Sequence, residues 1–355
     1  MADLDAILEG AVAAGASDIY LLEGTSPALK VDGVLRPVPD VPALAWADVE
    51  AMEARLLSPA QRQAFGTTGE TNLSYAHPAL GRFRVNGYRS LGVTGFVLRR
   101  VKLEIPDLET LDLPPLLARL VLERQGLILV VGATGTGKST TVAALLGHRN
   151  ESVAGHIVTI EDPVEFIHPR RQSLISQREV GIDTASYLLG LQNALRQAPD
   201  AIFVGELRDA ETAAVALHSA ETGHLVLSTL HATNATGAFE RLVHFFPPES
   251  RSAVLLQLSL IVRAIIAQRL VPRVGGTGRI AALEILLNTP RIQALVRRGE
   301  LDAIRLAIEE ASSEGLQTFD QALLALHQQK KVSEADALRF ADSPQNLRLR
   351  LLGIR

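Results

Sequence analysis

The segment Gly132-Ala-Thr-Gly-Thr-Gly-Lys-Ser-Thr140 fits the pattern G-x-x-x-x-G-K-[ST]. Glycines at these spacings let the backbone curl so that successive N–H groups point inward, which is what a phosphate chain requires. Gly132, Thr134, Gly135, Thr136, Gly137, Lys138, Ser139 and Thr140 are therefore the expected contacts of a nucleoside triphosphate. Lys138 has the reach for the β- and γ-phosphates, and the Ser139 hydroxyl is placed to ligate Mg²⁺. A helix over about Ser139–Leu146 adds the positive end of its dipole. A Gly/Thr-rich turn without a ligand is the plain alternative. The apolar strand before the loop and the Ala/Leu-rich helix after it argue against that alternative.

Carboxylates recur at the ends of apolar runs. Pro199-Asp-Ala-Ile-Phe-Val-Gly-Glu206 places Glu206 where an acid can orient or deprotonate an attacking water. Thr159-Ile-Glu-Asp-Pro-Val-Glu165 places Glu161 and Asp162 at the end of another run, where acids hold Mg²⁺ through its waters. Asp162 before Pro163 reads equally as a turn or helix cap. His224 and His231 bracket the short run of Leu225–Leu230. Their separation along a strand argues against one shared metal; His231, at the carboxyl end, is the one that could hydrogen-bond a γ-phosphate, and His224, at the other end, reads as holding the strand or a subunit contact. Arg82, Arg84 and Arg99 fall on two predicted strands and read, from the residues alone, as surface arginines.

The elements that must carry these residues follow from periodicity. Leu4, Ile7, Leu8, Ala11 and Val12 line one face of a helix that stops at Gly15. Ser17–Leu22 reads as a strand, Asp32-Gly33 as a hairpin turn between Ala28–Val31 and Val34–Val38, and Gly81–Tyr88 and Val93–Arg100 as further strands. Residues 1–100 thus form a small α+β unit. The Pro-punctuated stretch 101–115 reads as a linker, and 116–355 as a second unit. Four apolar runs, Leu127–Val131, Ile157–Ile160, Ala201–Val204 and Leu225–Leu227, each end in polar residues, with helical stretches between the later three. That pattern predicts a mostly parallel sheet covered on both faces, with ligands beyond the carboxyl ends of its strands. Beyond Gln257 the chain reads as mostly helical, with helices at Arg291–Arg298, Asp302–Ala311, Phe319–Gln328 and Glu334–Phe340.

Composition narrows the chemistry. The chain has 355 residues and no cysteine, which excludes disulfides, thiolate zinc sites and cysteine nucleophiles. A net charge of −4 gives no general attraction to polyanions. The most apolar stretch, Ala253–Leu270, is interrupted by Gln257, Ser259, Arg263, Gln268 and Arg269, too polar to span a bilayer. The amino terminus carries no secretion signal pattern, so the expected location is cytoplasmic, at the membrane's inner face only through a partner, with no direct membrane insertion.

With those segments in place the chain resembles the secretion-type motor ATPases, in the twitching-motility branch of PilT and PilU that retracts type IV pili. The resemblance covers nearly the whole chain. It rests on the Walker A loop, the "Asp box" Thr159–Phe166, the Walker B segment Gly205-Glu206-Leu207-Arg208-Asp209 and the "His box" Thr222–Ala232. Within the branch, Gly147–Asn150, Gln177–Asp183, Leu287–Pro290, Leu316–Ala322 and Ala341–Arg348 are similar to the PilU type, and Ala303–Glu310 to a PilT helix. Extension and type II secretion members usually carry a tetracysteine zinc module, which this chain cannot build.

The resemblance implies a PAS-like N-terminal domain joined to a RecA-like ATPase domain and assembled as a homo-hexamer. It implies Mg-ATP hydrolysis driving pilus retraction, in the manner of a PilU-like accessory ATPase, with a PilT-like retraction ATPase and an inner-membrane pilus platform protein as partners. It implies that Glu206 is the catalytic glutamate, Glu161 the Asp-box acid, and His224 and His231 the His-box pair at the nucleotide. Arg84 and Arg99 match the pair of arginines that sense the γ-phosphate, with Arg82 a third. Two alternatives stand beside it. One is a hexameric nucleic-acid translocase using the basic region of Arg291, Arg297, Arg298, Arg305, Arg348, Arg350 and Arg355. No aromatic residues interleave there to stack bases, so no nucleic acid is expected. The other is a weakly hydrolysing regulatory subunit of a PilT-like motor.

Overall fold

A computed structural model describes residues 2–31, 33–101, 104–276 and 278–353. Asp32 of the hairpin signal, Arg355 of the basic tail and positions 102–103 of the stretch read as a linker lie outside the described residues. The chain divides into two compact units: residues 1–103 with 165–167, and residues 104–164 with 168–355.

The first unit is an antiparallel sheet with three helices. Its strands are β1 (Asp18–Leu22), β2 (Ala28–Val31), β3 (Val34–Pro37), β4 (Glu70–His77), β5 (Gly81–Ser90) and β6 (Val93–Arg100), in the order β3-β2-β1-β6-β5-β4. β2 and β3 pair from Ala28 opposite Pro37 to Val31 opposite Val34, with Gly33 at φ 81° in the turn. The helix Leu4–Ala13 buries Leu4, Ile7, Leu8 and Ala11, the stripe its periodicity predicts. Helices Trp46–Leu56 and Pro59–Thr68 complete the layer, and Phe65 packs on Phe96 with ring centroids 6.0 Å apart.

The second unit is built on β7 (Gly126–Val131), β8 (His156–Glu161), β9 (Leu174–Glu179), β10 (Ala201–Val204), β11 (Leu225–Leu230), β12 (Val262–Pro272) and β13 (Arg279–Leu287). They form one sheet in the order β13-β12-β7-β11-β10-β8-β9. All neighbours are parallel except β13, which runs antiparallel to β12. Every residue of β7, β10 and β11 is buried. Along β7, Leu127, Leu129 and Val131 enter the core on one face while Ile128 and Val130 enter the core on the other. Helices cover both faces, which is why these strands carry no polar alternation.

Two expectations are corrected. The chain beyond Gln257 is mostly helical only after Leu287: the helix Arg251–Ile261 passes directly into β12, and β12 and β13 close the sheet as a hairpin. The four helices expected further on are present as Pro290–Arg298, Ile304–Glu310, Phe319–Gln328 and Glu334–Phe340. The stretch read as a linker also holds core residues. Leu113, with Leu108 and Leu111 against it, packs in the same cluster as Val142 and Leu145 of the helix Lys138–Ser152. That helix is held at its far end by Arg149, which is buried and donates to the carbonyl oxygens of Val121 at 2.7 Å and Glu123 at 3.0 Å.

Glu284 on β13 is 3% exposed and accepts the amide of Ala235, the first residue of the helix Ala235–His244, at 2.7 Å. Burial pushes its carboxyl up to about 7, with the charge of Asp342 adding to the rise and Arg269 and Arg305 opposing it. A raised carboxyl favours the folded chain while protonated. That stabilisation is complete below the unfolded value of 4.5 and is lost as pH climbs through about 7. The whole effect is about 3 kcal/mol. Glu284→Gln keeps an acceptor and removes the charge. Its urea midpoint should stay flat between about pH 5 and 7.5, where the parent chain loses stability.

Candidate active site

The parallel register places the carboxyl ends of β7, β11, β10 and β8 along one edge of the sheet. Val131 pairs with Leu230, Val204 with Ser228, and Ile160 with Val204. The residues that follow each strand are the loop 132–137, His231, Gly205-Glu206 and Asp162. Neighbouring strands lie about 4.8 Å apart, so the loop after β7 and the acid after β10 are separated by about 10 Å.

The loop is shaped by its glycines. A Cβ on Gly132 would lie 2.6 Å from Thr136 Oγ1 and 2.7 Å from the carbonyl oxygen of Gln268. Gly135 and Gly137 sit at φ 79° and 86°, where side chains are strained. Gly137 caps the helix Lys138–Ser152 without a side chain, leaving the first amides of that helix to face the loop. Thr136 Oγ1 donates to the carbonyl oxygen of Ala133 at 2.9 Å. Lys138 Nζ folds back over the loop and donates to the carbonyl oxygens of Gly132 and Ala133, each at 2.9 Å. Thr134 and Gly135 are exposed, and Ser139 and Thr140 are half-buried on the first turn of the helix. A curled backbone with an ammonium folded over its concave side fits a phosphate chain.

The acids are held by a polar web. Glu206 has only 13% of its side chain exposed; its Oε2 accepts from Arg208 Nε at 2.8 Å, and its Oε1 lies 3.3 Å from His231 Nε2. Arg208 also reaches Asp162 at 3.2 Å and lies over the ring of Tyr187, 5.7 Å from its centroid. The hydrogen bond it donates to Glu206 holds the Arg208 guanidinium even more firmly protonated than usual. Burial, followed by the charge of Asp162, pushes the Tyr187 hydroxyl well above its ordinary range. Glu161 Oε1 accepts from Thr159 Oγ1 at 2.6 Å and from Gln177 Nε2 at 3.2 Å. Thr229 Oγ1 donates to the carbonyl oxygen of Gly205 at 2.6 Å and so fixes the strand end that carries Glu206. Among the described residues no group of three or more His, Asp or Glu is arranged to hold a metal. A Mg²⁺ here would come with phosphates and water, needing from the chain a hydroxyl such as that of Ser139 and outer-sphere acids such as Glu161.

Of the expected residues, those of the loop, Glu161, Glu206 and His231 share one sheet edge. His224 does not. It sits at the amino end of β11, where its Nδ1 is 3.2 Å from the carbonyl oxygen of Ser219 and its own carbonyl accepts the amide of Gly126. The length of the strand puts it about 20 Å from the loop within this unit. Its placement at the nucleotide is corrected to a strand-end contact. The arginines lie in the other unit. Arg84 and Arg99 are directly opposite across β5 and β6, and Arg82 shares their face. Arg99 is paired with the buried Asp18 at 2.6 Å. Sequence reasoning missed Tyr187, Gln177 and Gln268. A glutamine inside the apolar run Ile265–Leu270 was the one available signal.

The description "Type II/IV secretion system protein" matches residues 1–334. The chain belongs to that family. Among similar proteins of this family, the type IV pilus ATPase PilU of Pseudomonas aeruginosa is 44% identical over 347 residues, 98% of this chain and 91% of that protein. The type IV pilus retractation ATPase PilT of the same organism is 39% identical over 344 residues, 97% of this chain and 99% of that protein. The crystal structure of the pilus retraction motor PilT with bound ADP gives a TM-score of 0.92 at 38% identity, covering 98% of this chain and 99% of that one. The expected branch, with a mostly parallel RecA-like sheet and a smaller α+β unit, is therefore the one observed.

The collision at Gly132 yields a test. Gly132→Ala forces Thr136 or β12 to move and should weaken ATP binding about tenfold or more while leaving the melting curve intact, read by titration with a fluorescent ATP analogue.

Proposed function

We propose that this chain is a motor ATPase that hydrolyses Mg-ATP to drive type IV pilus retraction, as a PilU-like accessory to a PilT-like retraction ATPase. One observation carries the reading. The phosphate loop and a nearly buried glutamate stand on the same edge of one parallel sheet, in a chain that spans almost the full length of pilus retraction ATPases.

In this reading Lys138 exchanges the carbonyl oxygens of Gly132 and Ala133 for phosphate oxygens. The amides of the loop and of the helix Lys138–Ser152 hold the rest of the phosphate chain. The Ser139 hydroxyl, with Glu161 acting through water, would hold a Mg²⁺ ion, which would supply positive charge to the phosphates. Glu206 aims the attacking water. Arg208 and His231 each approach one of its oxygens, which aims the carboxylate and leaves each oxygen a further lone pair for the water. Arg208 is itself anchored by Asp162. His231, beside Glu206, is the group that registers the γ-phosphate. Arg84 and Arg99, with Arg82 beside them, supply fixed positive charge to the γ-phosphate. For Arg99 this requires leaving Asp18.

The working assembly is a homo-hexamer on the cytoplasmic side of the inner membrane, coupled to the pilus platform protein. Among the described residues no helix is long and apolar enough to cross a membrane.

Lys138→Ala should abolish tight ATP binding. Glu206→Ala should retain binding and lose about 10²–10⁴ in turnover. Normal turnover in Glu206→Ala removes the assignment of the base. Arg99→Ala should lower turnover about 10³-fold or more if it acts on the γ-phosphate. The cellular counterpart is pilus retraction in a strain lacking this protein, restored by the parent gene and not by the Lys138→Ala gene.

A further inference from the structure

β12 passes directly beneath the phosphate loop, and its one internal amide side chain is wholly engaged there. Gln268 is 3% exposed. Its Nε2 donates to the carbonyl oxygen of Thr136 at 2.8 Å, and its Oε1 accepts from Thr141 Oγ1 at 2.8 Å. The two partners lie on either side of Gly137, Lys138, Ser139 and Thr140, so one side chain spans the turn from loop to helix. The glycines on both sides of the loop are matched to this strand: a Cβ on Gly137 would lie 2.9 Å from Gln268 Nε2, and one on Gly132 would lie 2.7 Å from the Gln268 carbonyl oxygen.

β12 is itself held from its other face. Successive residues of a strand point to opposite sides. Arg269 accordingly turns away from the loop, donating to the carbonyl oxygen of Phe340 at 2.7 Å and to Asp342 at 2.6 Å. Its guanidinium lies 3.8 Å from the centroid of Phe319. The register that presents Gln268 to the loop is thereby fixed by groups that never approach the loop.

We propose that Gln268 is a positioning residue for nucleotide binding, holding the phosphate loop open to the triphosphate through Thr136 and Thr141. The inference rests on the ATPase reading and adds a group that the loop motif does not contain. A glutamine is required because the site needs a donor and an acceptor on one planar group. Methionine matches its length and supplies neither. Without the bridge, the half-buried Thr136 carbonyl loses its partner and the Thr141 hydroxyl, 2% exposed, is left buried without one, so the loop relaxes toward conformations that satisfy them. Gln268 touches the loop and not the attacking water, so the loss falls on binding rather than on the chemical step.

The test uses the purified full chain, with Kd for a fluorescent ATP analogue, KM and kcat measured for each variant. Gln268→Met should raise Kd and KM about tenfold with kcat within about twofold of the parent. Thr141→Val should produce a shift of the same kind, and Thr141→Ser should restore the parent values. The double variant Gln268→Met/Thr141→Val should be little worse than Gln268→Met alone, because both changes remove the same bridge. Unchanged Kd and KM in Gln268→Met overturn the inference, as does a fall in kcat alone accompanying a lowered melting temperature. If Gln268→Met does not fold, Thr141→Val against Thr141→Ser decides: equal Kd values in those two overturn it. A parent chain that binds no nucleotide would remove the ATPase reading itself, an outcome distinct from parent-like binding in the variants.

Discussion

A sheet buried on both faces has nowhere to put polar chemistry except at the ends of its strands, and the second unit obeys that constraint throughout. β7, β10 and β11 are buried from end to end. Several of the polar side chains inside the sheet serve its carboxyl edge. Ser228 donates to the carbonyl oxygen of Val204, Thr229 to that of Gly205, and Thr159 to Glu161, each at 2.6 Å. Each of these hydroxyls offsets its own burial, and each ties down a strand end or an acid. The loop 132–137 and the carboxylates on the same edge inherit their spacing from the distance between strands rather than from any flexible arrangement of their own.

That constraint also explains what could be read from the chain beforehand. The loop 132–140, Glu206 and Glu161 were legible because each is a local pattern, an apolar run followed at once by the groups it presents. The hairpin at Gly33 and the helix Leu4–Ala13 were legible for the same reason. β12 was not. A strand buried on both faces has no alternation to betray it, and here it follows the helix Arg251–Ile261 with no glycine or proline to mark the change. The helix Trp46–Leu56 was obscured differently. It buries Val49, Met52 and Leu56 but leaves Trp46 63% exposed, which blurs the apolar stripe. Gln268 is 132 residues from its partner Thr136, and no spacing rule connects them. His224 shows the opposite failure: membership of a motif drew it toward the nucleotide, while the length of β11 carries it to the other edge.

The web around Glu206 fixes its direction. Arg208 holds one carboxylate oxygen at 2.8 Å, and His231 Nε2 lies 3.3 Å from the other. Arg208 is in turn anchored by Asp162 at the end of the neighbouring strand, so the carboxylate is oriented from two strands at once.

Arg149 closes a circuit of a different kind. By bonding the carbonyls of Val121 and Glu123 from the far end of the helix Lys138–Ser152, it fastens the exit of that helix to the entrance of β7. Strand, loop and helix become a ring of fixed circumference, 28 residues around from Val121 to Arg149. A single residue inserted or deleted within the strand or the helix of that ring cannot be taken up as slack. It must either rotate the helix, turning Lys138 off the loop, or strand a guanidinium in the interior without its acceptors. The strand and the helix within the stretch from 122 to 148 are accordingly the parts of this chain whose length, as distinct from their composition, is least free to drift.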